Sequence, residues 1–395
     1  MRALAFTFAL ALAGATAGAS EPDLFGLGAR SSAMGATGVA DAGGYDATYL
    51  NPAGLVDAKR ARLTFGYVLA RYRLSLDGAH RPVDATDGVV FGAAIPLPFG
   101  GVMAERLAIG IAFYSPTAVL NRARSPYPDE ARLALLDQRS QVASAMAAIG
   151  VRVHRRFSVG VGVLALGALV GTVEIGPDAT GRITTTAEEQ IQIRFAAIAG
   201  ARVEVARWLR LGLAFHGQSQ ASYDVRITTR LGDKLPLQLP VLRVAGVAQF
   251  DPMQLALEAA FAAPRGVTVA VGLGWKHWGA FPLPSENATP GAPPLASPNF
   301  HDTVVPRAGV ELTHAWRPVT LHARAGYFFE MSPSPGGATP LVDADRHVVT
   351  AGAGLDVHWR WLALALDAFG QWHHLDGARA SGDFGVFGFT LGVDL

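Results

Sequence analysis

The stretch Gln190–Glu204, "QIQIRFAAIAGARVE", alternates apolar and polar side chains with a period of two. Its first apolar residues occupy odd positions: Ile191, Ile193, Phe195, Ala197 and Ala199. Its polar residues occupy even positions: Gln190, Gln192, Arg194, Arg202 and Glu204. Because successive side chains of a strand point to opposite faces, the pattern predicts a β-strand with one apolar and one charged face.

The same alternation recurs along the chain, between connections of two different lengths. It is found at Trp208–Arg226, Val319–Glu330 and Leu362–Gln371, and turns such as "HRR" and "WRP" are short where the connections at 280–300 and 332–345 are long. A secreted β-sandwich would alternate too, but short turns alternating with long loops favour a transmembrane barrel. Since Arg or Lys facing lipid at the midplane costs about 2–4 kcal/mol, the charged faces are predicted to line the lumen.

We therefore predict an all-β membrane protein, an antiparallel barrel of about fourteen strands over residues 63–395. Pro252 interrupts the predicted strand 240–263, which we keep as one kinked strand because two would make fifteen, and bacterial single-chain barrels have even numbers. The predicted strands are 63–76, 88–97, 106–116, 139–153, 157–175, 188–205, 208–229, 240–263, 266–278, 303–315, 318–331, 346–358, 361–375 and 384–395.

The amino terminus and the composition indicate export and exclude several classes of protein. Residues 1–19 begin with one Arg, continue apolar and end in small residues, which is typical of a signal peptide. The chain has no cysteine, so neither disulfides nor thiolate metal sites are expected. A net charge of +1 gives no reason to expect a nucleic-acid partner. The uncharged run 157–173 is too rich in glycine for a membrane helix.

Residues 20–62 precede the barrel and are predicted to form a compact hatch, or plug, inside it. They are rich in glycine and alanine and contain "DATYLNPAGL", in which Asn51, Pro52, Ala53 and Gly54 form a predicted turn. Pro52 fixes the backbone of that turn and Asn51 is suited to cap it, although an ordinary capped turn without a gating role remains the alternative. The Gly26-x-Gly28 pair is no dinucleotide loop, since Ser31 replaces the third glycine.

Three stretches resemble the FadL/TodX family of outer-membrane transporters for long-chain fatty acids and hydrocarbons. They are "GARSSAMGATGVA" with "DATYLNPAGL", "LPLQLPVLRVAGVAQFDP", and "YFFEMSPSPGGATPLVDADRHVVTAGAGL". The resemblance implies a fourteen-stranded plugged barrel in the outer membrane of a Gram-negative cell. It also implies a wall opening at a kink of the third strand, for which Gly110 and Pro116 are the candidates. The chain departs from the family in ending on Leu395 rather than an aromatic residue.

Candidate ligand-binding residues lie in an outer loop and on the lumen faces of strands. Tyr127, Leu133 and Leu136 belong to "YPDEARLALLDQ", a predicted short helix that would offer an apolar docking surface or simply pack locally. Four lumen-facing arginines are candidates for holding a ligand carboxylate. The alternative is that they pair with lumen carboxylates or tie down the hatch. The four are Arg194, Arg243, Arg307 and Arg324.

The sequence favours passive uptake of hydrophobic compounds over two other functions. No nucleophile elbow or zinc-protease motif is present, so we expect no enzyme, and we expect no cofactor and no metal. The runner-up is a non-transporting barrel that serves as a secretion shuttle or attachment protein, because fold alone does not settle function. Expected partners are a lipophilic ligand, outer-membrane lipids and the barrel assembly machinery during biogenesis, with the protein itself a monomer.

Overall fold

The computed structural model describes most of the mature chain. The described residues are 21–117, 131–133, 135–136, 143–177, 182–229, 241–282, 297, 299–337, 340–359 and 362–395. The predicted signal peptide 1–19 and the candidate Tyr127 lie outside them.

One antiparallel sheet closes on itself to form a barrel. Its wall strands are β1 (Arg62–Leu76), β3 (Thr86–Pro96), β4 (Leu107–Pro116), β6 (Ser144–His154), β7 (Phe157–Pro177), β8 (Ile183–Ala206), β9 (Leu209–His216), β10 (Ser219–Thr229), β11 (Leu242–Asp251), β12 (Gln254–Ala263), β13 (Val267–Lys276), β14 (Thr303–Trp316), β15 (Val319–Glu330), β17 (Asp345–Trp359), β18 (Leu362–Asp376) and β19 (Ala380–Asp394). The short strand β2 (Ala79–Arg81) belongs to the same sheet and pairs with the end of β1, whereas β5 (Arg132–Leu133) and β16 (Leu341–Val342) form a separate two-stranded sheet.

The described wall contains fourteen strands, as predicted. Strands β9 and β10 are the two halves of one wall strand, interrupted at Gly217 and Gln218, and β11 and β12 are the halves of the next, interrupted at Pro252 and Met253. The barrel closes where β1 pairs with β19, from Arg62 opposite Asp394 to Leu76 opposite Ala380. At this seam every residue of β1 is paired with β19, so the first and last wall strands leave no unpaired edge between them, as a sheet that crosses a membrane requires.

The interrupted strands change partners in the outer half of the wall. Below the break β9 pairs antiparallel with β8, from Ile198 opposite His216. Above the break β10 pairs in parallel with β7, from Tyr223 opposite Leu169 to Thr229 opposite Ile175. Beyond Ile198 of β8 the β7–β8 hairpin therefore leaves the regular wall. Phe195, three residues away on β8, is 70% exposed.

Side chains are sorted between the two faces of the wall as the alternation predicts. Large apolar residues such as Phe65, Leu257 and Phe387 are exposed on the outer surface, whereas Glu258 and Lys276 are buried inside. Short turns join β6 to β7, β8 to β9, β12 to β13 and β14 to β15 at the rim that carries Leu395. This is the arrangement of an outer-membrane barrel with its short turns on the periplasmic side.

Residues 21–57, which we call the luminal segment, fill the interior. They form the helices α1 (Glu21–Phe25), α2 (Ala29–Ala33) and α3 (Ala47–Leu50) and the 3₁₀ helix Pro52–Asp57. The segment contacts strands on opposite sides of the barrel, among them β6, β7 and β8 on one side and β15, β17 and β18 on the other. Further 3₁₀ helices are Gly101–Met103, Pro264–Gly266 and Trp278–Ala280.

Several predicted strand boundaries are shifted by a few residues. β6 begins at Ser144 rather than 139, β8 begins at Ile183 rather than 188, and β19 begins at Ala380 rather than 384. The polar residues before 188 and 384 conceal the starts of β8 and β19, because strand pairing continues past the apolar pattern.

Candidate functional site

Asn51 organises the turn at the centre of the luminal segment. Its Oδ1 accepts a hydrogen bond from the backbone N–H of Ala53 at 3.1 Å and so caps the 3₁₀ helix, with Pro52 at the first helical position. Its Nδ2 donates to the carbonyl oxygens of Val39 at 2.7 Å and of Ala201 on β8 at 3.1 Å. One buried side chain thus joins the helix, a distant part of the segment and the wall.

Glycines let the luminal segment pass close to the wall. Gly35 has a positive φ of 66°, and a Cβ there would lie 2.5 Å from the carbonyl oxygen of Ala308. Opposite it, a Cβ on Gly326 of β15 would lie 2.2 Å from the Gly35 nitrogen. A side chain at either position requires the backbone to move, so these glycines fix the depth at which the segment sits.

Polar side chains of the wall bind backbone groups of the luminal segment. The Glu258 carboxylate accepts hydrogen bonds from the N–H groups of Gly38 at 2.9 Å and Ala40 at 3.0 Å. Thr350 accepts from the Gly35 N–H at 2.9 Å, and Gln371 donates to the Phe25 carbonyl at 2.9 Å. A typical hydrogen bond contributes about 0.5–1.5 kcal/mol net to stability. One of these contacts can therefore break while the others still hold the luminal segment against the wall.

Two groups of buried charges also join the segment to the wall. Arg30 donates to Glu311 at 3.0 Å and to Asp41 at 2.7 Å, and Glu311 also accepts from Arg324 of β15. Burial raises the pKa of the nearby Asp46 to about 6, and the positive charge of Arg30 opposes that shift.

The second group is centred on Lys276. Its Nζ lies 3.0 Å from Asp23 Oδ1 and 2.6 Å from Glu330 Oε1. Lys276 is only 1% exposed, so loss of either partner would leave a buried charge poorly compensated, at a cost of about 3–5 kcal/mol for a broken buried pair. The segment is thus fixed electrostatically at its beginning as well as at Arg30.

The four candidate arginines occupy different environments. Arg307 donates to the Ala36 carbonyl of the luminal segment at 3.1 Å, and Arg324 bonds Glu311 and Asp367. Arg243 is exposed and pairs with Asp224 at 2.9 Å, while Arg194 is exposed on the outer part of β8. The structure therefore places Arg307 and Arg324 inside the barrel beside the luminal segment. It leaves Arg194 and Arg243 exposed, on the same strand faces as the buried Ala196 and Ala245.

The candidates Leu133 and Leu136 are buried in the main apolar cluster of the barrel. The cluster includes Leu24 and Phe25 of the luminal segment and Phe384 of the wall. The predicted loop helix is wrong at Arg132 and Leu133, which instead form β5 and pair in parallel with β16. The Arg132 N–H donates to the Pro340 carbonyl at 2.9 Å, and this backbone bond holds the two loops together.

A second apolar cluster lies beside the first. Leu135, two residues from Leu133, packs in a group that is rich in aromatic side chains. Its members are Leu135, Val247, Phe250, Trp278, Phe300 and Leu341. The described residues of the outer loops thus cover a largely apolar region.

The candidate wall-kink residues lie in a regularly paired strand. Gly110 of β4 pairs with Ala94 of β3 and Ala148 of β6, and Pro116 pairs with Gly88, without a register shift in either ladder. A Cβ on Gly110 would lie 2.2 Å from Thr48 Oγ1 of the luminal segment. In this structure Gly110 therefore gives room to the segment.

The space between the luminal segment and the wall is narrow near Tyr49 and His216. The cavity there has a volume of about 30 Å³. A cavity of this size has room for only about one to three water molecules. Passage of an organic molecule at that point requires the segment or the wall to move.

The described residues contain neither a membrane-spanning helix nor a cluster of metal-binding side chains. Among the helices that the structure describes, none is long and apolar enough to cross a bilayer. In the same part of the chain, no group of three or more His, Asp or Glu side chains is placed to hold a metal ion.

Sequence reasoning did not single out the wall residues that bind the segment. Glu258, Lys276, Thr350 and Gln371 each contact residues 21–57. The sequence did contain a sign of such contacts. Glu258 is the single charge in the apolar strand "QLALEAAFAA", so it must face the lumen and needs a buried partner there.

A closed fourteen-stranded barrel with an apolar outer surface and an interior filled by its own amino-terminal segment defines the class of outer-membrane transport barrels. A profile of the outer membrane protein transport protein family (OMPP1/FadL/TodX) matches residues 9–368. The chain belongs to this family, and it is a β-barrel transporter for hydrophobic compounds in the Gram-negative outer membrane.

Solved structures share the fold at low sequence identity. A Pseudomonas aeruginosa FadL homologue has a TM-score of 0.60 and 14% identity over 93% of this chain and 97% of that chain. The P. putida toluene transporter TodX has a TM-score of 0.58 and 14% identity, with 94% and 99% covered. The Ralstonia pickettii toluene transporter TbuX has a TM-score of 0.59 and 13% identity, with 94% and 99% covered. No curated protein matches the sequence.

Proposed function

We propose that the protein takes up long-chain fatty acids or similar lipophilic molecules by passive passage, with the luminal segment as a displaceable hatch. A molecule docks at the apolar region under the outer loops and enters the lumen as the hatch shifts. It then leaves through an opening of the wall near β4. The transporters TodX and TbuX, which share the fold, are described as toluene transporters, so a hydrocarbon is the other ligand class to test.

The observation that supports this route is the continuity of one apolar cluster. It extends from Leu133 and Leu136 of the outer loop to Leu24 and Phe25 of the luminal segment. Binding sites for lipophilic molecules are mostly apolar with few polar groups, and this cluster has that character. Besides this apolar packing, the hatch is held to the wall by hydrogen bonds and ion pairs, which can exchange without loss of the barrel ladder.

The proposal is tested by uptake of a fluorescent fatty acid into proteoliposomes. We expect the double substitution Leu133→Ser and Leu136→Ser to reduce uptake about tenfold or more, because each leucine contributes roughly 1.5–3 kcal/mol when fully buried. The matched control is Leu312→Ser, since Leu312 is 52% exposed on the outer surface of the wall. Its uptake should remain at the wild-type rate.

Two results contradict the proposal. If the double variant folds and still takes up the probe at the wild-type rate, the outer cluster is not on the route. If the wild-type protein gives no uptake above empty liposomes with either a fatty acid or toluene, the alternative role as an attachment or shuttle barrel is favoured.

A further inference from the structure

An arginine-rich cavity, which we call the rim cavity, opens at the periplasmic rim where the 3₁₀ helix Pro52–Asp57 ends. Its volume is about 290 Å³, and it lies between the short turns that join β6 to β7 and β8 to β9. Six arginines line it, together with only two carboxylates, those of Asp57 and Glu204. The arginines are Arg152, Arg155, Arg156, Arg202, Arg207 and Arg210. The lining therefore carries a formal charge of +4.

The strand register places the inner wall of the rim cavity at one level. Arg152 of β6 is paired with Ser158 of β7, which is paired in turn with Arg202 of β8. Ser158 and Arg202 are buried, with 4% and 8% exposure. Three adjacent strands thus present two guanidinium groups and a hydroxyl side by side.

One guanidinium nitrogen in this row has no hydrogen-bond partner. Arg202 Nη2 lies 2.7 Å from Asp57 Oδ1, but Nη1 of the same buried side chain is unsatisfied. A buried donor without a partner is unfavourable. A second anionic oxygen at this position would satisfy it.

The carboxylate of Asp57 already occupies part of the row. Its Oδ1 also lies 2.9 Å from Arg152 Nη2, which in addition donates to the Val56 carbonyl at 2.9 Å. Asp57 is the last residue of the luminal segment. Its carboxylate, bound between Arg152 and Arg202, therefore holds the end of that segment at the rim. An incoming anion competes for the same donors.

We infer that the rim cavity is a binding site for the anionic head group, carboxylate or phosphate, of an amphiphile. Guanidinium groups recognise both kinds of head group through paired, charge-assisted hydrogen bonds. Binding displaces Asp57 from Arg152 and Arg202 and thereby releases the end of the luminal segment. The inference rests on the proposed function in one respect, because uptake would bring the fatty acid to this rim. Binding of the head group itself does not require transport.

Equilibrium binding to the full mature protein in a non-ionic detergent tests the inference without any transport step. The probes are radiolabelled decanoate, decyl phosphate, decanol and inorganic phosphate. We expect decanoate or decyl phosphate to bind, and the double substitution Arg152→Gln and Arg202→Gln to weaken that binding about tenfold or more, because hydrogen bonds to charged groups are worth about 1.5–3 kcal/mol each. Decanol binding should be unchanged.

Two further variants separate the site from a general effect of charge or folding. Arg317→Gln removes one positive charge from the turn between β14 and β15 on the same rim and should leave decanoate binding within twofold of wild type. Asp57→Asn removes the competing anion and should strengthen binding several-fold. Heat-modifiable migration on gels verifies that each variant is a folded barrel.

The outcomes distinguish the sources of the anion and can overturn the inference. Decanoate binding with no decyl phosphate binding assigns the site to carboxylates, and the reverse assigns it to phosphate head groups. If only inorganic phosphate binds, or if the arginine double variant binds decanoate as wild type does, the inference is wrong. If the wild-type protein binds decanoate but shows no fatty-acid uptake, the proposed function is wrong and the inference about the rim cavity still stands.

Discussion

Asn51 shows how one residue couples local structure to the barrel. Its carbonyl oxygen caps the 3₁₀ helix through Ala53, and its amide nitrogen bonds Val39 and the wall residue Ala201. The cap and the Pro52 turn follow from local sequence rules. The bond to Ala201 does not, because it depends on a residue 150 positions away in the chain.

Asn51→Ala is expected to loosen the luminal segment without opening the barrel. Loss of a cap costs about 0.5–2 kcal/mol, and the Val39 and Ala201 carbonyls lose their amide donor. The measurement is single-channel conductance in a planar bilayer, which should show more frequent open events, while heat-modifiable migration stays that of wild type.

Asn299→Ala is the control for this residue, because Asn299 is exposed in an outer loop. Asn51→Asp retains an acceptor for the Ala53 N–H but has no amide donor, and it should give an intermediate effect. Equal conductance of wild type and Asn51→Ala would show that the turn does not hold the segment in place.

At the scale of elements, the luminal segment and β4 are the parts whose movement the proposed route requires. The segment has its own short helices but binds the wall through Glu258, Thr350 and Gln371. β4 is paired continuously with β3 and β6. A lateral exit near β4 therefore requires at least one of these ladders to open.

Joining β4 to β6 should block such an exit. Ile111 pairs with Ala147, and both side chains are exposed on the outer surface. The chain has no native cysteine, so Ile111→Cys with Ala147→Cys can be bridged by a short, reducible thiol cross-linker without side reactions elsewhere. We expect the bridge to reduce fatty-acid uptake at least fivefold and reduction to restore it.

The control places the same bridge in the opposite part of the wall. Ala353 of β17 pairs with Ala368 of β18, and both are exposed. Their Cys pair, bridged in the same way, should leave uptake unchanged. Uptake that survives a complete bridge between β4 and β6 would place the exit elsewhere, for which the irregular outer part of β7, β8 and β10 is the next region to test.

At the scale of the whole molecule, much of the architecture could be predicted from alternation alone. Strands with one apolar and one charged face, crossing a membrane, require a lumen for the charged face. The alternating loop lengths and the rule that bacterial barrels have an even number of strands then predicted fourteen strands, despite the interruption at Pro252. The partner change of β10, which pairs with β7, could not be predicted, because alternation determines which face a residue occupies and not which strand lies beside it.

The interior was less predictable than the wall. Alternation assigns Arg243, Arg307 and Arg324 to the same kind of inward-facing position. It does not show that Arg243 is exposed and paired with Asp224, while Arg307 and Arg324 bind groups inside the barrel. The buried group of Lys276, Asp23 and Glu330 joins residues that are far apart in the chain. Such pairings depend on strand register and on the path of the luminal segment, which local patterns do not encode.

Residues 21–57 fill the lumen, so the proposed route requires them to move within the closed barrel for a lipophilic molecule to pass. Arg30 of the luminal segment and Glu311 of the wall are joined at 3.0 Å, and both line a cavity of about 260 Å³. Fatty-acid uptake should be measured for Arg30→Cys with Glu311→Cys before bridging by the reducible cross-linker, after bridging, and after reduction. We expect the bridge to abolish uptake and reduction to restore it. Uptake at the unbridged rate by fully bridged protein would contradict it.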